Sequence, residues 1–420
     1  MVVIVEETAK TLLKGGKLPA RPSLVIDSWF WTDAWCNLYR GCEHACVYCD
    51  GLSEYYHVDH DFNNEIHVKV NAPELLEEEL RRSDFFPVWE KTSKSSTLDK
   101  FLNTVKPSRP VVGNRRRGFI GLGGGVSDPY CPAEKEYRLT RKCLKVLEDF
   151  RFPTYIMTKS DLVLRDLDIL KEINKETRVM VSFSFSTVDE EIKRVFEPRS
   201  SPAQKRLDAM AELANAGIVT GATYMPVIPY VTDSDAQIRQ TLEAVKNHGG
   251  SYYLFGGMTL KGGRQAEMFY KAIDTHFPDK HEKIAALYQK GWVPPPSYTR
   301  PKTAIARYWG DQIGLASRAP RYIPPEEFPK NLEISTGLFN MAYFIWELGL
   351  QPLKNKSFSS AALFIENYRR DLAADWIKGD VPRELSGPLI FPEIDTYLKT
   401  TTFPSWEACV SAYQRFLPKK

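Results

Sequence analysis

Three cysteines, Cys42, Cys46 and Cys49, lie within eight residues of one another. Their C-x3-C-x2-C spacing places three thiol side chains on one short loop, and Tyr48 directly precedes the last of them. Cysteine thiolates are the usual ligands of iron–sulfur clusters, and a cube of four irons needs four ligands. Three cysteines therefore predict a cluster with one iron left open for a small molecule.

A structural zinc ion is the other common use of clustered cysteines. Zinc sites usually combine two pairs of ligands, each spaced as C-x2–4-C or H-x3–5-H. His44 lies between two of the cysteines, and the loop would have to fold back for it to bind the same ion. The remaining cysteines stand singly in the sequence: Cys36, Cys131, Cys143 and Cys409. Because no second pair is present, the ligand count favours an iron–sulfur cluster over zinc.

The segment from Tyr39 to Cys49 reads Tyr-Arg-Gly-Cys-Glu-His-Ala-Cys-Val-Tyr-Cys. It resembles the cluster motif of the radical S-adenosylmethionine (SAM) superfamily, in particular the branch of spore photoproduct lyase and the DNA repair photolyase-like proteins. The resemblance implies a 4Fe–4S cluster whose open iron binds the amino and carboxylate groups of SAM. It also implies reductive cleavage of SAM to a 5′-deoxyadenosyl radical, with an external electron donor of the flavodoxin or ferredoxin type.

The elements that must position this loop alternate between strand-like and helical patterns. Strands are predicted over residues 118–125, 153–159, 178–186, 218–225 and 251–255, and helices over 133–150, 162–173, 202–216 and 235–248. With a first strand just before the cysteine loop, the alternation predicts an α/β fold of about six βα units around a parallel sheet. The resemblance implies a partial (β/α)6 barrel, whose active site gathers at the C-terminal ends of the strands.

Three prolines at positions 294–296 end the βα pattern and suggest a domain boundary. We therefore divide the chain into an N-terminal extension (1–31), a partial barrel (32–290) and a C-terminal, mainly helical extension (291–420). Helices are predicted in the last region over 333–350 and 361–377. We expect this region to cover the open side of the barrel.

A glycine triplet follows the second predicted strand: Gly123, Gly124 and Gly125. Glycines at a strand end let a ligand approach the backbone closely. By resemblance, this is the segment that holds the amino group of SAM. The glutamate that follows the glycines in much of the superfamily is not present here.

Further SAM contacts are implied by the resemblance. Lys159 ends the third strand and would pair with the SAM carboxylate as a point charge. Ser127 and Ser184 match two other contact positions. Period-two alternation places Ser184 on one face of its strand together with Ser182 and Ser186, for which a structural role is the preferred interpretation.

The adenine of SAM is expected near Met225, at the end of the fifth strand, and near Tyr48. Both positions follow from the resemblance. Glu43, His44 and Arg40 are expected to brace the cluster loop as residues behind the ligands.

Two departures from the lyase pattern limit how far the resemblance extends. The lyase carries a cysteine that returns hydrogen to the product radical, two residues before the position of Ser127, and Gly125 stands there instead. The lyase tyrosine that follows the third cluster cysteine is replaced by Asp50. Cys131, six residues beyond Gly125, is the candidate for the hydrogen-return role. The alternative is that it is a small buried hydrophobic residue.

The net charge of +3 is too small to indicate nucleic acid by itself, but the charge is unevenly distributed. Residues 91–117 carry eight basic side chains and one acid, within a predicted exposed insertion at about 83–117. A second basic stretch, 300–321, contains or adjoins several aromatic residues. Basic residues beside aromatics suit phosphates and unstacked bases, although solvated loops also carry such charge runs.

Several classes of protein are disfavoured by composition. The N-terminus lacks a signal-peptide apolar region, and no apolar run approaches the ~20 residues that cross a bilayer. Clustered cysteines without a disulfide framework fit a reducing cytoplasm. The sequence therefore predicts a cytoplasmic radical SAM enzyme acting on nucleic acid, by photoproduct lyase-like DNA repair or nucleotide modification. A peptide, protein or metabolite substrate is the first alternative, and a non-enzymatic iron–sulfur or electron-transfer protein is the second.

Overall fold

The computed structural model describes residues 2–14, 29–83, 85, 87, 118–124, 127–324 and 328–418. The basic residues of the predicted insertion lie outside this part of the chain, and so does Gly125.

Two sheets organise the described residues. Their strands are β1 (Val3–Glu7), β2 (Leu13–Lys14), β3 (Thr32–Cys36), β4 (Tyr39–Arg40), β5 (Glu65–Lys69), β6 (Phe119–Leu122), β7 (Thr154–Thr158), β8 (Val179–Phe185), β9 (Val219–Val227) and β10 (Tyr252–Gly257). The large sheet has the order β2-β3-β6-β7-β8-β9-β10. Neighbouring strands from β3 to β10 pair in parallel, and β2 is antiparallel at the edge. This topology confirms the predicted α/β fold with six parallel strands.

A smaller sheet joins β1, β5 and β4 in that order. In it, β1 runs parallel to β5 and β4 runs antiparallel to β5. The sequence analysis did not anticipate this sheet. It matters for the site because β4 is the last regular element before the cysteine loop.

The helices lie mainly between the strands and after the last one. They are α1 (Ala72–Arg82), α2 (Glu134–Tyr137), α3 (Leu139–Asp149), α4 (Leu167–Glu176), α5 (Glu190–Phe196), α6 (Ala203–Asn215), α7 (Asp235–Asn247), α8 (Arg264–His276), α9 (His281–Tyr288), α10 (Pro296–Ile313), α11 (Pro329–Glu347), α12 (Pro352–Glu366), α13 (Leu372–Ile377), α14 (Phe391–Thr400) and α15 (Trp406–Val410). Within the described residues, no helix is long and apolar enough to cross a bilayer.

The predicted helix 133–150 is two helices, α2 and α3, because Arg138 interrupts the helical conformation. This residue adopts a left-handed conformation with φ +51°. The buried carboxylate of Glu134 accepts a hydrogen bond from the backbone N–H of Thr140, at 3.0 Å, and thereby caps the start of α3. Tyr39 and Arg165 also donate to Glu134. The carboxylate of Glu134 therefore connects three elements: the start of α3, strand β4 through Tyr39, and the segment before α4 through Arg165.

The predicted helix 361–377 is also divided, into the end of α12 and α13. Asn331 bridges the turn between them, since its amide donates to the carbonyl of Arg370 and its oxygen accepts from the N–H of Leu372. Asp371 caps α13 by accepting from the N–H of Ala374 at 3.2 Å.

Side chains of the large sheet alternate between two apolar clusters. On the convex side, residues such as Val181 and Phe183 pack with the helices that follow each strand. On the concave side, Tyr155 and Leu254 pack with aromatic and aliphatic residues of α11 and its neighbours. The C-terminal helices therefore cover this face of the sheet. They leave the C-terminal ends of the strands for the site.

The second basic stretch contributes to this packing rather than to a free surface. Arg307 is buried against the rings of Phe344 and Tyr413. Arg318 is also buried, and Arg321 forms an ion pair with Glu366 in the interior. The interpretation of these three arginines as contacts for phosphate or bases is therefore wrong.

Candidate functional site

A cavity lies at the C-terminal ends of the parallel strands. It encloses about 500 Å³ of empty space, part of it open to solvent. Its lining comes from the cysteine loop after β3 and β4, the loop after β6, and the ends of β7 and β8. The residues are Cys42, His44, Cys46, Tyr48, Cys49, Gly124, Ser127, Asp128, Met157, Thr158, Lys159 and Ser184.

The cysteine loop is a compact series of turns. The N–H of Cys42 donates to the carbonyl of Phe62 at 2.8 Å, and the N–H of Cys49 donates to the carbonyl of Cys46 at 3.1 Å. The loop begins at Gly41, whose φ is +93° and whose position would bring a Cβ atom to 2.6 Å from the carbonyl oxygen of Glu65. A residue without a side chain is therefore required where the chain leaves the small sheet.

The separation of the ligand atoms on the cysteine loop bears on which metal group the loop fits. No three ligand atoms of Cys42, His44, Cys46 and Cys49 lie within 4.8 Å of one another. Thiolates around one tetrahedral zinc ion would be about 3.8 Å apart at a Zn–S distance of about 2.3 Å. A four-iron cube presents a separate iron to each thiolate, so its ligands are farther apart. The residues present fit an iron–sulfur cube better than a zinc ion.

Burial controls the protonation of these thiols. It raises the pKa of the Cys42 thiol well above its usual range, and the nearby charge of Asp128 adds to the increase. Burial likewise raises the pKa of Cys49. A metal that bound these thiols would therefore have to displace their protons, which would couple metal loading to proton release.

Residues within the loop fix it to the rest of the site. Glu43 accepts a hydrogen bond from the N–H of Ala133 at 2.7 Å. The Nε2 atom of His44 lies 3.3 Å from the Oδ2 atom of Asp128. Arg40 donates to the backbone carbonyls of the segment that follows the loop. These contacts are the bracing expected from Glu43, His44 and Arg40.

Asp128 connects three parts of the site. Its carboxylate accepts hydrogen bonds from the hydroxyl of Thr158 at 2.6 Å and from the N–H of Lys159 at 2.7 Å. Burial opposes ionisation of this carboxyl, but His44 and the hydrogen bonds lower its pKa. The residue therefore holds the end of β7 against the cysteine loop as an anion. The sequence analysis did not identify it.

The glycines after β6 allow close approach of neighbouring backbone. Gly123 has φ +111°, and a Cβ atom there would lie 2.7 Å from the carbonyl oxygen of Met157. At Gly124, a Cβ atom would lie 2.7 Å from the side-chain oxygen of Asn37. Gly124 lines the cavity, whereas Gly123 lies beside it.

A buried network surrounds the predicted SAM-binding lysine. Lys159 donates a hydrogen bond to Ser184, and its Nζ atom lies 4.0 Å from the carboxylate of Glu197. Glu197 also accepts from Arg206 at 2.8 Å and from the hydroxyl of Tyr48. Although burial opposes ionisation, the positive charges of Arg206 and Lys159 lower the pKa of Glu197 to about 2.

Glu197 and Arg206 were not among the predicted site residues. Glu197 begins a Glu-Pro-Arg segment that resembles the pattern of the photoproduct lyase branch, although the sequence favours a structural role for it at least as strongly. Arg206 gives no local signal, because it lies within the amphipathic pattern of α6 and its burial depends on the fold. Both side chains are completely buried.

Besides Gly123, two predicted residues lie outside the cavity lining. Met225 contacts the lining through its carbonyl oxygen, which accepts a hydrogen bond from Ser184 at 3.2 Å. Cys131 has no exposed surface and packs in the convex core. Its assignment as the hydrogen-return residue stays a prediction, and its placement gives that assignment no support.

Comparison with known proteins places this fold and loop in a family. The sequence profile described as the Radical SAM superfamily matches residues 36–245, half of the 420-residue chain. The chain therefore belongs to the radical SAM superfamily, a family of enzymes that use SAM and an iron–sulfur cluster.

Similar proteins have been found in bacteria and archaea. An uncharacterised protein of Mycobacterium tuberculosis is 29% identical over 266 residues, covering 62% of this chain and 69% of the relative. One from Methanocaldococcus jannaschii is 28% identical over 251 residues, covering 59% and 78% respectively. A solved spore photoproduct lyase variant with bound AdoMet and dinucleoside spore photoproduct is 16% identical, with a TM-score of 0.49. That match covers 74% of this chain and 81% of that chain.

Proposed function

We propose that Cys42, Cys46 and Cys49 hold a 4Fe–4S cluster and that the adjoining cavity binds SAM. The observation that carries this proposal is that three thiols, a lysine and two serines from four separate segments line one cavity at the C-terminal ends of the strands. The remaining cysteines within the described residues lie outside that lining, so three thiols are available as ligands.

The residues of the cavity divide into two groups by their chemistry. Lys159 would pair with the SAM carboxylate, and Ser127 and Ser184 offer hydroxyl groups for its polar atoms. The backbone at Gly123 and Gly124 offers carbonyl groups for the amino group. We assign Tyr48 and the segment at Met225 to the adenine side, as the sequence resemblance implies.

Held by Cys42, Cys46 and Cys49, a cluster would supply the one-electron reduction needed to cleave SAM and so start radical chemistry on a substrate. The protein's own contribution is to hold the two cofactors together. Glu197 and Arg206 position the side chains of Tyr48 and Lys159 from beneath the cavity. The apolar packing on both faces of the sheet keeps this arrangement rigid.

Anaerobic reconstitution tests the cofactor assignment. The wild-type chain, loaded with iron and sulfide, should contain about four irons and should release 5′-deoxyadenosine with dithionite and SAM. Cys46→Ala should lose both properties. Cys409→Ala, a buried cysteine in α15, is the matched control and should keep both. A Cys46→Ala protein that retains its full iron content and SAM cleavage would contradict the assignment.

Nucleic acid is the substrate class that we propose. The basic segment 91–117 supports it from sequence, with a local charge excess of +7. An exposed aromatic pair near the cysteine loop provides independent support. The rings of Tyr55 and Trp292 are 4.6 Å apart and their side chains are exposed. The Nζ atom of Lys261 lies 5.9 Å from the ring of Trp292 and forms an ion pair with Asp50, the residue after Cys49.

Such a surface suits stacking of unpaired bases, which contributes about 1–3 kcal/mol per base. Binding of a single-stranded oligonucleotide should therefore weaken by about tenfold in Trp292→Ala. Log affinity falls as log salt rises. The triple change of Arg115, Arg116 and Arg117 to alanine should make this dependence shallower, reducing the magnitude of the slope by about 2.

The control for the arginine variant is a triple alanine change of exposed cations in the C-terminal region, at Lys378, Arg383 and Lys399. It should leave the salt slope unchanged. Two results would contradict the nucleic-acid proposal. One is a wild-type affinity that does not depend on salt, and the other is an equal salt slope in the arginine variant and the control variant. A peptide or metabolite substrate would then be favoured, while the cofactor assignment would still stand.

A further inference from the structure

A second group of metal-ligating side chains lies outside the cavity, on the small sheet. His60, Glu65 and His67 each offer a ligand atom, and these atoms all lie within 4.8 Å of one another. Glu65 and His67 are two residues apart on β5 and so project from the same face of the strand. His60 comes from the loop that leads into β5. The described residues contain no other such group of three.

His67 is held in the manner of a histidine ligand. Its Nδ1 atom lies 3.1 Å from a carboxylate oxygen of Glu7, and its Nε2 atom lies 3.0 Å from a carboxylate oxygen of Glu65. A neutral imidazole carries one N–H, so it can donate to only one of these carboxylates. A ligating histidine commonly donates its far N–H to a carboxylate, which leaves the other nitrogen free to bind the ion.

His60 supplies an independent observation. Its Nε2 atom is buried and has no hydrogen-bond partner. Its ring stacks on that of His67, with the centroids 4.1 Å apart and the planes inclined by 14°. A buried imidazole nitrogen without a partner costs free energy unless something binds it. The group formed by His60, Glu65 and His67 therefore has more hydrogen-bond acceptor atoms than the protein has donors to satisfy them.

We propose that His60, Glu65 and His67 bind a divalent transition-metal ion, with Zn²⁺ as the representative species and Glu7 orienting His67. Imidazole nitrogen combined with one carboxylate suits such ions and does not suit Mg²⁺ or Ca²⁺, which prefer all-oxygen sites. The lone pairs of two stacked rings lie in nearly parallel, separate planes and do not converge on one ion. Binding therefore requires a rotation of His60, which lies in a half-exposed loop.

The position of the ion would connect it to the cysteine loop. Arg40 of β4 pairs with His67 of β5, and the chain then passes through Gly41 into Cys42. An ion held by β5 and by the loop before it would fasten the strand pair from which the cluster motif begins. We therefore assign the ion a structural role.

Metal binding to the full-length, iron-loaded protein tests the proposal. After equilibration with Zn²⁺ and gel filtration, wild type should retain one zinc in addition to its iron. His60→Asn and Glu65→Gln should each lower the affinity for zinc by at least tenfold. The control is His57→Asn. His57 is exposed three residues away and has φ +52°, a conformation that asparagine tolerates, so this variant should bind zinc like wild type.

Co²⁺ substitution distinguishes this site from the cysteines, because thiolate ligands add an intense charge-transfer band and imidazole and carboxylate ligands do not. The expected spectrum has visible bands without the thiolate band, and these disappear in His60→Asn. A thermal transition raised by zinc in wild type and in His57→Asn, but not in His60→Asn, would support the structural role. Absence of the extra zinc, equal binding by His60→Asn and His57→Asn, or a thiolate band would overturn the proposal.

Discussion

The hydroxyl of Tyr48 donates a hydrogen bond to the carboxylate of Glu197, 149 residues further along the chain. Tyr48 belongs to the cysteine motif, whereas Glu197 follows α5 and pairs with Arg206 inside the protein. The Nζ atom of Lys159 lies 4.0 Å from the same carboxylate. One buried anion therefore connects the proposed cluster loop to the proposed SAM-binding lysine.

Replacing Glu197 with glutamine should destabilise the protein strongly. The change leaves Arg206 charged and completely buried without its counterion, which typically costs about 3–5 kcal/mol. Chemical denaturation of both proteins measures the difference. Glu243→Gln is the control, because Glu243 pairs with Arg239 on the exposed face of α7 and should lose less than about 1 kcal/mol. Equal losses in the two variants would show that the buried pair has no special role.

The same carboxylate should make stability depend on acid pH. The pKa of Glu197 is about 2 in the folded protein against an ordinary value of 4.5. The depressed pKa contributes about 3 kcal/mol of stability. This contribution is complete above pH 4.5 and is lost as the pH falls towards 2. Denaturation of cluster-free wild type and Glu197→Gln from pH 7 to pH 3 should therefore show the gap between them narrowing below pH 4.5. A gap that is constant across this range would contradict the assignment.

Removing the charge of Lys159 should weaken SAM binding. A charge-assisted hydrogen bond contributes about 1.5–3 kcal/mol, so Lys159→Met should raise the dissociation constant of SAM about 10–100-fold. Calorimetric titration of the anaerobic, iron-loaded protein measures it. Lys145→Met, at an exposed lysine of α3, should bind SAM like wild type. Unchanged SAM affinity in Lys159→Met would show that Lys159 does not pair with the SAM carboxylate.

A methyl group at Gly123 should distort the loop after β6. The residue has φ +111°, and its Cβ atom would meet the backbone of β7 at 2.7 Å, where no flexible side chain can move away. Gly123→Ala should therefore destabilise the protein by about 1–3 kcal/mol and weaken SAM binding. Gly291→Ala, where a Cβ atom would have nothing within 4 Å, should change neither property. Matching unfolding curves for the two variants would exclude the strain.

Much of the fold could be predicted because its signals are local. Buried parallel strands leave continuous apolar runs, and each predicted strand after the cysteine loop overlaps an observed one, although β9 and β10 end two residues later than predicted. The cysteine spacing likewise needs no tertiary information. The three thiols, Lys159 and Ser184 line one cavity because parallel strands bring their C-terminal ends to the same edge.

The parts that were missed depend on contacts between distant segments. The small sheet pairs β1 with β5 across about sixty residues, and two of its strands are short or half-exposed. Asp128 is one of many acids in the sequence and is distinguished only by burial beside His44 and Thr158. The arginines of the stretch 300–321 have a composition that suits a nucleic-acid surface. Their burial against aromatic rings follows only from the position of α11.

The concave face of the sheet has a consequence for any attempt to divide this protein. Phe119, Tyr155 and Leu254 share one apolar cluster with α11 and the helices after it. A fragment that ended after α9 would expose these rings and aliphatic chains to water, although it would still contain every proposed cluster and SAM ligand. We therefore expect such a fragment to aggregate. The last third of the chain provides the apolar packing that supports the sheet whose strand ends form the proposed site.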